Sequence, residues 1–123
     1  MAASDTPQNG AGRRVGQVVH LKPSQVEAYK KCHAEVWPAV LEQIHASNIR
    51  DYAIFFDGTD TLFATFLYVG SDWDGDMKRM AANPIVQEWW RMTDNMQESL
   101  LPGATGSADG PWWKELEQVF YQA

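Results

Sequence analysis

One cysteine, Cys32, stands in the 123 residues of this chain, so an internal disulfide is excluded and packing must hold the fold. Positive charge is also short. Ten Lys and Arg face sixteen Asp and Glu, a formal charge of -6 at pH 7, with no basic grouping beyond Arg13-Arg14 and Lys30-Lys31. That balance argues against nucleic acid and anionic membrane as partners. No apolar run nears the ~20 residues that span a bilayer, and the N-terminus has no apolar segment of the secretion-signal kind. A soluble cytoplasmic protein is the expectation. There is no glycine-rich phosphate loop. His20, His33 and His45 lack both paired spacing and a cysteine partner, which argues against zinc. The aspartates of Asp72-Trp73-Asp74-Gly75-Asp76 alternate, but Met77 and Asn83 stand where a calcium loop needs glycine and glutamate, so no metal is expected. Cys32 and His33 are helix neighbours that should not face each other, which argues against a Cys–His nucleophile pair.

What is present is an ordinary globular composition, 45% hydrophobic and 21% charged, with an excess of tryptophan. Four of the six tryptophans form two adjacent pairs, Trp89-Trp90 and Trp112-Trp113. Neighbours on a helix point ~100° apart, so one of Trp89 and Trp90 should face somewhere other than the core.

Residues 1–12 are small, polar and aperiodic and read as a disordered tail. Residues 14–21 (RVGQVVHL) read as a strand with Val15, Gln17 and Val19 on one face and Val18 and His20 on the other. Ser24, with Glu27 three residues on, has the spacing of a helix cap. A helix follows, carrying Tyr29, His33 and Trp37 four apart until Pro38, which lacks the N–H the turn requires. The first segment should end near His33 or Ala34, and Pro38 should open a second over Pro38–Ala46. Residues 49–56 (IRDYAIFF) and 61–69 (TLFATFLYV), joined by Asp57-Gly58-Thr59-Asp60, read as a hairpin with Tyr52, Ile54 and Phe56 on one face. A helix over 72–82, another from Asn83-Pro84, a loop over 101–111 and a closing strand over 116–121 (LEQVFY) complete the chain.

That order suits an α+β ferredoxin-like βαββαβ unit, an antiparallel sheet with helices on one face. The other sheet face would be an uncovered apolar patch, so a homodimer is expected.

The remaining candidates are Tyr29, His33, Tyr52, Trp89 and Trp90. Each has a structural reading: a hydrogen-bonded helix histidine, a sheet tyrosine, core or interface tryptophans. Together they offer aromatic faces for C–H surfaces, hydroxyls to orient a ligand, and an imidazole that moves protons near neutral pH, which suits a neutral polyhydroxylated molecule.

Tyr29-x-x-x-His33-x-x-x-Trp37-Pro38, Asp51-Tyr52-Ala53-Ile54, Trp89-Trp90-x-Met92-Thr93-Asp94-x-Met96 and Leu116-Glu117-Gln118-Val119-Phe120-Tyr121 together resemble the L-rhamnose mutarotase family, from about Val15 to Tyr121. The resemblance implies a single domain over 13–123 that forms a dimeric α/β barrel. It also implies an isomerase that interconverts α and β anomers of L-rhamnose or a related deoxyhexose without a cofactor. His33 is then the catalytic acid, Tyr29 and Tyr52 bind the sugar, and Trp89-Trp90 line the site. Asp51, Asp94 and Glu35 stand open as partners of His33. Two features depart from the family pattern: Ala34, where a polar Asp or Asn is common, and the 101–111 loop with its Trp112-Trp113 pair, which either caps the pocket or anchors the last strand. Another small-molecule enzyme on the same barrel (a cofactorless oxygenase, dehydratase or cyclase) and a non-catalytic sugar-binding dimer are the competing readings.

Overall fold

Alternating β-branched residues make Arg13–Leu21 the central strand β1. In the computed structural model, which describes residues 12–123, it is followed by helices α1 (Val26–Ala34) and α2 (Pro38–Ala46), the hairpin β2 (Ile49–Phe56) and β3 (Thr61–Tyr68), helices α3 (Trp73–Ala82) and α4 (Pro84–Met96), and the short strands β4 (Gln97–Glu98) and β5 (Lys114–Leu116). The tail expected over 1–12 lies outside the described residues except for Gly12.

Pro38 does what its chemistry demands. α1 ends at Ala34, Trp37 is extended, and Pro38 takes the first turn of α2, where its missing N–H costs nothing. Asn83 caps α4 by accepting the Ile85 N–H at 2.9 Å, with Pro84 opening the helix. The cap expected at Ser24 is not formed. Pro23 starts a 3₁₀ turn over Pro23–Gln25, so Ser24 is already inside a turn and Gln25 precedes α1 without a side-chain cap.

The sheet is antiparallel in the order β2-β3-β1-β4, with β5 also on β1, as a ferredoxin-like chain requires. β4 meets His20 and Leu21, while β5 meets Gly16 to Val18. The expected closing strand over 116–121 is thus corrected: pairing covers only Lys114–Leu116. In this register Glu117, Gln118 and Val119 would still face Val15, Arg14 and Arg13, so the chain leaves the sheet before β1 runs out. Val119 and Phe120 are accordingly 86% and 75% exposed.

All four helices cover one sheet face. Val15, Ile49, Phe66 and Tyr68 of the sheet pack on Met80 and Val86, and a second cluster joins Val19, Leu21 and Leu62 to Tyr29. Beside the first cluster the buried Asp76 carboxylate accepts from Tyr68 Oη at 2.5 Å, Asn48 Nδ2 at 2.9 Å and Arg79 at 2.5 Å. These bonds hold its pKa down to about 2 and tie α3 to the sheet. The opposite sheet face carries Phe55 and Phe63, directly paired across β2 and β3.

Candidate active site

Between the helices and the sheet lies a cavity of about 1060 Å³, at the upper end of the ~300–1,000 Å³ usual for small-molecule sites. Five of the six tryptophans line it: Trp73, Trp89, Trp90, Trp112 and Trp113. That accounts for the tryptophan excess. Trp89, 6% exposed, meets both His33 and Trp37 edge-on at 5.2 and 5.1 Å between ring centroids. Trp90 packs instead toward the first core cluster, so the pair reaches the same cavity from two sides of α4.

His33 sits in the last turn of α1, where the helix breaks before Pro38. Its Nδ1 lies 2.9 Å from the Tyr29 carbonyl, which can only accept, so Nδ1 carries the hydrogen and Nε2 keeps its lone pair. The ring stacks on Tyr29 at 4.0 Å with 25° between planes. Burial pushes the imidazole pKa down, partly offset by the Tyr29 carbonyl, which keeps the ring neutral around pH 7. Contrary to the helix-neighbour expectation, Cys32 Sγ does touch His33 Nδ1, at 3.3 Å. It reaches the nitrogen already bonded to Tyr29, and burial raises the thiol pKa, so no thiolate nucleophile is poised here.

Tyr52 reaches the cavity through a β-bulge. Arg50 pairs with Leu67 and Ala53 with Thr65, so Asp51 and Tyr52 together oppose Phe66 alone. Asp51 absorbs the extra residue in the left-handed region, φ 51°, and is held by Arg14 at 2.8 Å. Without the bulge Ile49 and Tyr52 would face opposite ways; with it both reach the helix side. Tyr52 keeps 40% of its surface accessible, and desolvation of its phenol pushes the pKa up to about 12.

Tyr29 is placed differently. It lines a smaller pocket of about 340 Å³ that shares His33 and Ile54 with the main cavity and includes Ala34 at its edge. Its phenol is raised by burial and by the neighbouring Tyr52 phenol, and its oxygen accepts from Gln97 Nε2 at 3.1 Å. Of the carboxylates left open as partners of His33, Asp51 is bound to Arg14, Asp94 to Ser107 through 2.8 and 2.6 Å bonds, and Glu35 is exposed past the end of α1. None of the three lines either cavity.

Asp94 instead pins the loop 101–111. Gly110, at φ 130°, then turns the chain into Pro111 and Trp112. Both Trp112 and Trp113 wall the cavity and also pack on the second core cluster, so capping and anchoring are one role. Polar lining residues outside the expected set are Gln17, Asp74, Lys78, Ser107 and Glu115. Gln17 was detectable, a polar residue on the core-facing side of β1; the others come together only through tertiary folding. Among the described residues there is no cluster of three or more His, Cys, Asp or Glu able to hold a metal ion, and no helix long and apolar enough to cross a membrane.

A ferredoxin-like sheet under helices, with a neutral histidine at the wall of a tryptophan-lined cavity, defines an α+β protein with a pocket of small-molecule size. A family model described as L-rhamnose mutarotase matches residues 14–122. The L-rhamnose mutarotase of Listeria monocytogenes is 34% identical over 111 residues, covering 89% of this chain and 98% of its own length. That of Burkholderia ambifaria is 33% identical over 102 residues, 82% of this chain and 89% of its own. The crystal structure of L-rhamnose mutarotase from Formosa agariphila matches with a TM-score of 0.68 at 30% identity, over 89% of this chain and 98% of that one. The chain belongs to the L-rhamnose mutarotase family, whose members are anomer-interconverting isomerases.

Proposed function

We propose that the chain interconverts the α and β anomers of L-rhamnose or a related deoxyhexose, without a cofactor, as a cytoplasmic homodimer. The observation that carries this reading is the neutral His33, its Nδ1 committed to the Tyr29 carbonyl and its Nε2 left to act, at the wall of the tryptophan-lined cavity.

Mutarotation needs one proton removed and one delivered. As the O1 proton leaves, the C1–O5 bond breaks, O5 is protonated and C1 becomes an aldehyde; rotation about C1–C2 and reclosure invert the anomeric centre. His33 Nε2 takes the proton and, as imidazolium, returns it as the acid, so one residue serves both directions. Tyr29 and Tyr52, kept protonated by their raised pKa values, offer hydrogen bonds to sugar oxygens. Trp89 and Trp90 supply faces for the C–H surfaces. The anomers differ little in energy, so matched proton transfer is all the catalyst need supply.

The polar groups Gln17, Asp74, Lys78 and Glu115 among the tryptophans favour a hydroxyl-rich ligand over the aromatic or polyketide-like substrate of an oxygenase or cyclase. The homodimer is supported by the exposed Phe55 and Phe63 on the bare sheet face. NMR magnetisation transfer between the anomers of L-rhamnose and a small panel of deoxyhexoses tests the activity. Exchange no faster than in buffer defeats it, and binding by calorimetry without faster exchange would make the chain a sugar-binding protein.

A further inference from the structure

Gln97 is a polar residue with only 4% of its surface exposed, placed where α4 hands over to β4. Its amide is used at both ends. Oε1 accepts from Trp112 Nε1 at 2.8 Å, and Nε2 donates to Tyr29 Oη at 3.1 Å. The indole N–H can only donate, so the amide has one workable orientation, with its oxygen toward Trp112 and its NH₂ toward Tyr29. The Tyr29 oxygen must therefore accept. Its own hydrogen is bonded to no described residue and is left to donate elsewhere.

We propose that Gln97, locked by Trp112, is a positioning residue that makes Tyr29 a hydrogen donor toward the sugar oxygen held at His33, while fixing the Tyr29 ring against the imidazole. The inference rests on the anomer-exchange reading of the site. The bond from Gln97 works against the burial that raises the Tyr29 phenol, so it makes Tyr29 the better donor. Trp112 joins this chain of bonds from the far side of the loop: Ser99 Oγ donates to the Trp112 carbonyl, and Asp94 holds Ser107. A cavity-wall tryptophan thus sets the direction of a hydrogen bond beside the histidine.

Polarity of the bond can be reversed by one substitution. In Gln97→Glu the ionised carboxylate still accepts from Trp112 but can only accept from Tyr29, so it takes the hydrogen meant for the sugar. Protonated, the same carboxyl can donate and restore the original arrangement. We expect kcat/KM for L-rhamnose anomer exchange to fall about 10- to 100-fold near neutral pH, mostly in kcat. The variant-to-parent ratio should recover as pH drops through the carboxyl pKa, which burial raises. Gln97→Met, which keeps the volume and loses both bonds, should lose activity by a pH-independent factor. Trp112→Phe, which removes the indole N–H together with the five-membered ring, should lose at least about 3- to 10-fold, mostly in kcat, and decides the matter should the buried carboxylate prevent folding. A flat ratio for folded Gln97→Glu, or parental kcat/KM in Gln97→Met or Trp112→Phe, overturns the proposal while the function stands. A parent that does not accelerate exchange at all overturns the functional reading and this inference with it.

Discussion

Tyr29 holds His33 twice, through its ring stacked at 4.0 Å and through its carbonyl 2.9 Å from Nδ1. The second contact follows from helix geometry, because residue i meets the carbonyl of i−4; it fixes the tautomer without any carboxylate. His33→Ala should therefore lower kcat/KM about 10²- to 10⁴-fold, the usual worth of a positioned acid–base group, with the fold retained. Anomer-exchange kinetics beside a circular dichroism spectrum check this, and a fully active variant would remove the histidine from the mechanism.

The downward shift of His33 has a sign that pH can read. Catalysis through neutral Nε2 should persist below pH 6.5 and fail only as the imidazole protonates at its lower folded pKa. Stability runs the same way. The unfolded chain binds the proton more readily, so the contribution of His33 to stability declines as pH falls from 6.5 through the folded value. Chemical-shift titration of the imidazole alongside the rate profile checks both, and an acid limb at or above 6.5 contradicts the burial described here.

Asp76 sets a second, more acidic window. Its carboxylate accepts three hydrogen bonds and titrates near 2 in the fold against an ordinary 3.8, so its contribution to stability is complete above 3.8 and is lost as pH falls toward 2. Asp76→Asn should lower the melting temperature at neutral pH and flatten the acid part of the stability curve. Thermal melts between these limits decide it; a variant with parental acid sensitivity would show that other carboxylates govern the transition.

The bulge at Asp51 gives a backbone prediction. A β-branched residue is strained in the left-handed region, so Asp51→Val should destabilise by roughly 1–3 kcal/mol and disturb Tyr52. Asp51→Gly relieves the strain and loses only an exposed ion pair with Arg14, so it should stay within about 1 kcal/mol of the parent. Urea melts of the two variants give the comparison, and equal losses would argue against a strained bulge.

Much of this fold was readable from local chemistry. The Pro38 break, the Asn83-Pro84 start and the Asp57–Asp60 turn each depend on residues within one turn of each other. Two local readings failed: Ser24 lost its capping place to the adjacent Pro23, and the strand over 116–121 pairs with β1 only up to Leu116. At the site, Tyr29 and His33 were visible as an i, i+4 pair. Gln97 and Trp112 were not, because fifteen residues of chain must fold back before the amide meets the indole.

The bare sheet face gives the last prediction. Phe55 and Phe63 stand opposite one another, 62% and 44% exposed, and Leu116 is exposed opposite Gly16 on the same face. Burying each large apolar side chain is worth ~1.5–3 kcal/mol, so two copies placed face to face would gain from every one of these residues at once. Val119 and Phe120, exposed and unpaired with their own β1, are available to the same neighbour. Light scattering during gel filtration should return twice the 13.9 kDa chain mass. Phe63→Glu would place a carboxylate at the centre of this face and should yield the single-chain mass, whereas Ile85→Glu on α4, on the helix side, should leave the dimer intact. A parent of single-chain mass at working concentration sinks the idea, and so does a Phe63→Glu variant that remains dimeric.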